Sequence, residues 1–124
     1  MIQERAQDLL ADLMDIARYT CHIAAHTDIV DCHATVLPLF DRLHVGLPGV
    51  DLVDWAMYAH RSVARKIGDC GEITTSWATI TAEPCLECQQ AGNLLIEIGA
   101  SLNGEVNVSF LDERLTVLRT LLFS

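Results

Sequence analysis

In the first part of the chain, apolar residues return every three or four positions: Ile2, Ala6, Leu9, Leu10, Leu13, Met14, Ala17 and Cys21. An α-helix lays such residues along one stripe, and a strand scatters them over both faces. Glu4, Asp8, Asp12 and Asp15 take the other faces. The segment therefore reads as an amphipathic helix running to about His26. The same step recurs to the end of the chain, and this restricts the fold class to all-α: a single compact bundle of five to six helices over residues 1–124.

The later helices follow from stripes and punctuation. Thr27 or Asp28 is expected to cap a second helix that starts at Ile29 and carries Val36, Phe40 and Leu43 inward. Pro38 lies inside it and should kink or break it. Gly46-Leu47-Pro48-Gly49 is a loop. Asp51 caps a third helix with Leu52, Trp55, Ala56, Ala59, Val63 and Ile67 on its buried face; Gly68 and Gly71 are expected to end it. Residues Glu72 to Ala82 are rich in β-branched side chains, which suit a strand. Ile73, Trp77 and Ile80 nevertheless fall at helical spacing, and the helix is preferred. Pro84 fits the first position of the next helix, with Cys88, Ala91, Leu95, Ile98 and Leu102 as its stripe. Cys85, Gly92 and Gly99, seven apart, form a strip of small residues that another helix can approach. Asn103-Gly104 stops this helix. The last begins near Ser109 with Asp112 completing a Ser-x-x-Asp cap, or after a short extended entry at 105–108, and carries Leu111, Leu115, Leu118 and Leu122.

The chain has 124 residues, 51% of them hydrophobic, enough for one domain with its own core. Its formal charge is −9, from 17 acidic and 8 basic residues. Such a surface opposes binding to nucleic-acid phosphates or to anionic membrane. It suits a basic protein partner, or imitation of a nucleic acid's own field. There is no apolar run long enough to span a bilayer and no signal-like N-terminus, and the five cysteines (Cys21, Cys32, Cys70, Cys85, Cys88) are odd in number. The expected setting is a reducing cytoplasm.

Chemistry concentrates in Thr81-Ala82-Glu83-Pro84-Cys85-Leu86-Glu87-Cys88. Two thiolates three residues apart can share a zinc ion, with His60 or Cys70 completing the set. From Thr81 to Ala91 the pattern Thr-x-Glu-Pro-Cys-x-x-Cys-x-x-Ala resembles the second zinc motif of the cytidine and nucleobase deaminases. The resemblance implies a strand at Ala78-Thr79-Ile80-Thr81 and zinc held by Cys85, Cys88 and an upstream histidine, for which His60 stands at a suitable distance. It also implies a His-x-Glu whose glutamate shuttles protons. Here the upstream element reads His60-Arg61-Ser62, without that glutamate. A redox reading makes Cys85 the thiol at a helix N-terminus, but Glu83 and Glu87 oppose its ionisation. The third reading is two packed helix thiols. His22 and His26, four apart, could hold a metal on one helix face, although no carboxylate stands between them in the His-Glu-x-x-His manner. His44 reads as a helix-end residue.

The pattern taken as a whole reads as a small acidic regulatory or adaptor protein, not an enzyme, that acts by binding another protein. One example is an inhibitor that occupies the dimerisation or DNA-binding surface of a transcription regulator or other nucleic-acid-binding protein. Trp55 and Tyr58, three apart on one face, and the apolar tail with Leu118, Leu122 and Phe123 are the candidate interface residues; aromatic residues dominate such contacts. The alternative for Trp55, Tyr58 and Trp77 is the core. A homodimer would cover the surplus apolar surface of the tail, and docking of the tail into its own core would serve as well. No cofactor is expected under this reading. The competing one is a zinc-binding, degenerate deaminase-like protein using Cys85, Cys88 and His60 or Cys70.

Overall fold

The computed structural model describes residues 2–24, 32–50, 61–80, 86–103 and 107–123. These form an all-α bundle of five helices, with no strand among the described residues: α1 (Ile2–Ala24), α2 (Cys32–Gly46), α3 (Arg61–Ile80), α4 (Leu86–Ser101) and α5 (Val108–Phe123). A single 3-10 turn, Leu47–Gly49, follows α2. The most extensive contact is between α3 and α4; α1 lies across both, α2 packs on α1 and α5, and α5 closes on α4. The core is built from the expected stripes. Leu13 and Ile16 of α1, Leu43 of α2, Ile67 of α3, Leu95 and Ile98 of α4, and Leu111 and Leu118 of α5 are all fully buried. None of the described helices is long and apolar enough to cross a membrane.

Gly68 and Gly71 do not end a helix. α3 runs unbroken through both to Ile80. The glycines are explained by the neighbouring helix. A Cβ on Gly71 would lie 2.6 Å from the carbonyl oxygen of Gly92, one on Gly92 would lie 2.6 Å from Thr75 Cγ2, and one on Gly99 would lie 2.8 Å from the carbonyl oxygen of Ala64. The two backbones therefore touch, and α3 and α4 run antiparallel. Glycine inside a helix costs about 1 kcal/mol relative to alanine; here the close crossing offsets that cost. The small-residue strip of α4 works as expected at Gly92 and Gly99, while Cys85 lies outside the described residues.

The β-branched run after Gly71 is helical, and its hydroxyls bond back to the helix. Thr74 Oγ1 donates to the Cys70 carbonyl at 2.6 Å, Thr75 to Glu72 at 2.8 Å and Thr79 to Ser76 at 2.9 Å. This removes the polar penalty of burying Thr74, which is inaccessible to solvent. The strand implied by the deaminase resemblance at Ala78-Thr79-Ile80-Thr81 is thus absent: α3 occupies these positions through Ile80, and Thr81 lies outside the described residues. Pro38 does not break α2. It faces solvent, where water can take the carbonyl left without a donor.

Two further expectations change at α5. The cap is Asn107 and not Ser109: Asn107 Oδ1 accepts from the Phe110 N–H at 3.0 Å, the geometry of an N-cap. Asp112 is instead engaged by His44, whose Nδ1 lies 2.8 Å from its Oδ1. That contact and the Arg119–Asp41 bond at 2.9 Å tie α5 to α2. Arg114 lies over the Phe110 ring, 4.7 Å from its centroid, and its Nε stands 3.0 Å from Glu97. That N–H is not aligned on the carboxylate, so the contact is ionic and not a hydrogen bond.

The glycines of α3 separate two roles, and a pair of substitutions tests the crossing. Nothing lies within 4 Å of a Cβ built on Gly68. Gly68→Ala should raise stability to urea by about 0.5–1 kcal/mol through helix propensity. Gly71→Ala should lower it by about 1–3 kcal/mol because the backbones must separate.

Candidate functional site

The residues singled out from the sequence do not converge on one place among the described residues. Trp55, Tyr58, His60 and Cys85 lie outside the described residues, as do His26 and the capping positions Thr27, Asp28 and Asp51. Leu118 is fully buried, so its side chain faces the core of its own chain. Leu122 and Phe123 are half-buried on that core. Phe123 stacks on Tyr19 with ring centroids 5.8 Å apart and meets Phe40 edge-on at 6.0 Å. The tail thus docks onto α1 and α2 of its own chain.

Of the four candidate zinc ligands, Cys70 and Cys88 are described; both are half-buried, on α3 and α4. No three of His, Cys, Asp and Glu stand close enough to share a metal among the described residues. Cys70 keeps different company. Burial pushes its thiol up, with the nearby Cys21 of α1 adding to the rise and Arg18 opposing it. Burial also pushes the Cys21 thiol up, partly offset by a hydrogen bond with the Thr74 side chain. Both groups are therefore protonated at neutral pH and fill the α1–α3 contact as small apolar side chains.

Asp12 departs from the expected solvent-facing pattern. It is 5% exposed, beneath the Arg42 guanidinium that donates to its Oδ1 at 2.6 Å. Asp8, Asp41 and Val45 line the same open groove between α1 and α2. Burial raises the Asp12 pKa above its ordinary value and Arg42 pulls it back, without prevailing. The Arg42 side chain is 64% exposed, so water screens its charge.

The exposed surface that stands out is on α3. Ile73, Trp77 and Ile80 are 46%, 41% and 70% exposed, at positions i, i+4 and i+7 of one helix face. Their helical spacing was legible; their direction was not. A helix stripe of this kind ordinarily faces the core, but in α3 the face given to the core carries Ala64, Ile67, Gly71, Thr74 and Ala78. The antiparallel register that sets Gly92 against Gly71 and Thr75 also places Leu86 of α4 level with the last turn of α3. Leu86 is 67% exposed. Ile73, Trp77 and Ile80 thus form an exposed apolar stripe on the outer face of α3.

Comparison with protein-family models, with curated proteins and with solved structures returned no match.

The Asp12 site yields a signed pH dependence. Its folded pKa lies above the ordinary 3.8, so the folded protein holds this proton more tightly than the unfolded chain does. The stability of the native sequence relative to Asp12→Asn should be highest below the unfolded value. It should decline as pH rises through the folded pKa and stay at the lower level above it. Urea unfolding of both proteins across the acid range measures the difference, and a rise with pH would contradict the assignment.

Proposed function

We propose that this chain is a small acidic regulatory or adaptor protein that acts by binding another protein through the outer face of α3. The observation that carries the reading is the exposed Ile73–Trp77–Ile80 stripe. Apolar side chains at i, i+4 and i+7 are the anchors by which one helix docks into a complementary surface. Burying them recovers roughly 25 cal/mol for each Å² of apolar area removed from water. Tryptophan is enriched among the few residues that dominate such contacts. The formal charge of −9 supports a protein partner over a nucleic-acid or anionic-lipid one. The odd number of cysteines supports a reducing, cytoplasmic setting.

The stripe is separable from the core, and this makes the reading testable. Trp77→Asp should leave the helical circular dichroism intact and change stability by no more than about 0.5–1 kcal/mol, as for other surface positions. In affinity capture from the source cells followed by mass spectrometry, the native protein should retain a partner that Trp77→Asp loses. Recovery of the same proteins by both would refute the proposal.

A further inference from the structure

The exposed stripe of α3 lies in the most one-sided part of the chain. Between Lys66 and Arg114 stand eight carboxylates, Asp69, Glu72, Glu83, Glu87, Glu97, Glu105, Asp112 and Glu113, and no lysine, arginine or histidine. Three of the later ones are engaged by side chains of α2 and α5: Glu97 and Glu113 by Arg114, and Asp112 by His44. Asp69, Glu72 and Glu87 are exposed and make no ion pair among the described residues. Asp69 stands one turn before Ile73 on the same face of α3, and Glu72 edges the stripe. Glu87 adjoins the exposed Leu86, level with the last turn of α3.

We infer that the occupant of this face is a cationic amphipathic helix of a partner protein, with apolar side chains on Ile73, Trp77 and Ile80 and lysines or arginines toward Asp69, Glu72 and Glu87. The inference rests on the protein-binding reading above and specifies its partner. From Ile73 to Ile80 the stripe spans about 10 Å of helix, roughly two turns, which suits a helix laid alongside. Charge decides which helix. A second copy of this chain is a poor match. Packed parallel, it sets Asp69 against Asp69 and Glu72 against Glu72. Packed antiparallel about the stripe, it sets Ile73 opposite Ile80, but the Arg65 and Lys66 that it brings fall beyond the end of the facing α3 instead of opposite Asp69 and Glu72. The antiparallel register that does place Lys66 opposite Glu72 is centred on position 69, and there Asp69 meets Asp69 and Ile73 falls opposite Arg65 instead of an apolar residue. Only a partner that supplies both apolar anchors and cations matches the whole face.

The test uses three synthetic helical peptides and the full chain. One has leucine on one face and lysine on the others; the second replaces every lysine by glutamate; the third keeps the lysines and replaces the leucines by serine. Calorimetric titration should show saturable one-to-one binding of the first alone. Trp77→Asp and the double variant Asp69→Asn/Glu72→Gln should each weaken it by about tenfold or more. Raising salt from about 0.05 to about 0.5 M should weaken it further, because exposed charges are screened over a few ångströms at the higher value. Equal binding of the glutamate peptide, equal binding of the serine peptide, or indifference to the Asp69/Glu72 variant would overturn the inference. So would a dimer of the native chain in sedimentation equilibrium that Trp77→Asp dissolves, since a second copy would then be the occupant. If the captured partner depends on Trp77 but contacts α3 through a segment without cations, this inference fails and the protein-binding reading stands. If nothing depends on Trp77, both fail.

Discussion

Where α3 crosses α4 the two backbones are in contact, and the arrangement of the other helices follows from that contact. Gly71 faces Gly92 and Ile96, Gly92 faces Gly71 and Thr75, and Gly99 faces Ala64 and Gly68, with no room for a side chain at Gly71, Gly92 or Gly99. A crossing this close uses up the small-residue side of both helices. α1 then lies across the pair, with Leu13, Ile16 and Ala17 inward, and α5 closes on α4 through Leu111, Leu115 and Leu118. Tyr19, Phe40 and Phe123 bring the chain end onto α1 and α2.

The same contact decides what the protein shows to solvent. In an ordinary amphipathic helix the large apolar side chains go inward and the small ones are incidental. In the second half of α3 the order is reversed. Glycine, threonine and alanine go inward because only they permit the approach of α4, so Ile73, Trp77 and Ile80 are left outside. The exposed stripe is thus a direct consequence of the packing that holds the hairpin together.

Charge is divided along the same line. Arg42, His44, Arg119 and Arg114 are engaged in local pairs: Arg42 with Asp12, His44 with Asp112, Arg119 with Asp41, and Arg114 with Glu97. These contacts join α1 to α2, α2 to α5 and α5 to α4, and Asp69 and Glu72 of α3 make no ion pair among the described residues. Asp12 shows the cost of taking one such pair inward: burial outweighs the attraction of a mostly exposed arginine, and its carboxylate is held less readily in the charged form.

Periodicity alone was enough to read the helices, because burying one face of a helix demands apolar residues at three- and four-residue steps whatever the neighbours are. Leu9, Leu13 and Ala17, or Leu111, Leu115 and Leu118, could hardly have meant anything else. Punctuation was less dependable. Gly68 and Gly71 look the same in sequence whether glycine ends a helix or admits a neighbour, and Ser109 resembles a cap although Asn107 holds the position. The Cys85–Cys88 motif drew attention because thiol spacing is local, whereas a metal site depends on which distant residues arrive beside it. The same limit hid the α3 surface. The sequence by itself determined that Ile73, Trp77 and Ile80 share one helix face. Only the tertiary structure decided that this face points outward, because the close approach of α4 requires the opposite, small-residue face and a helix can present only one of the two to the core.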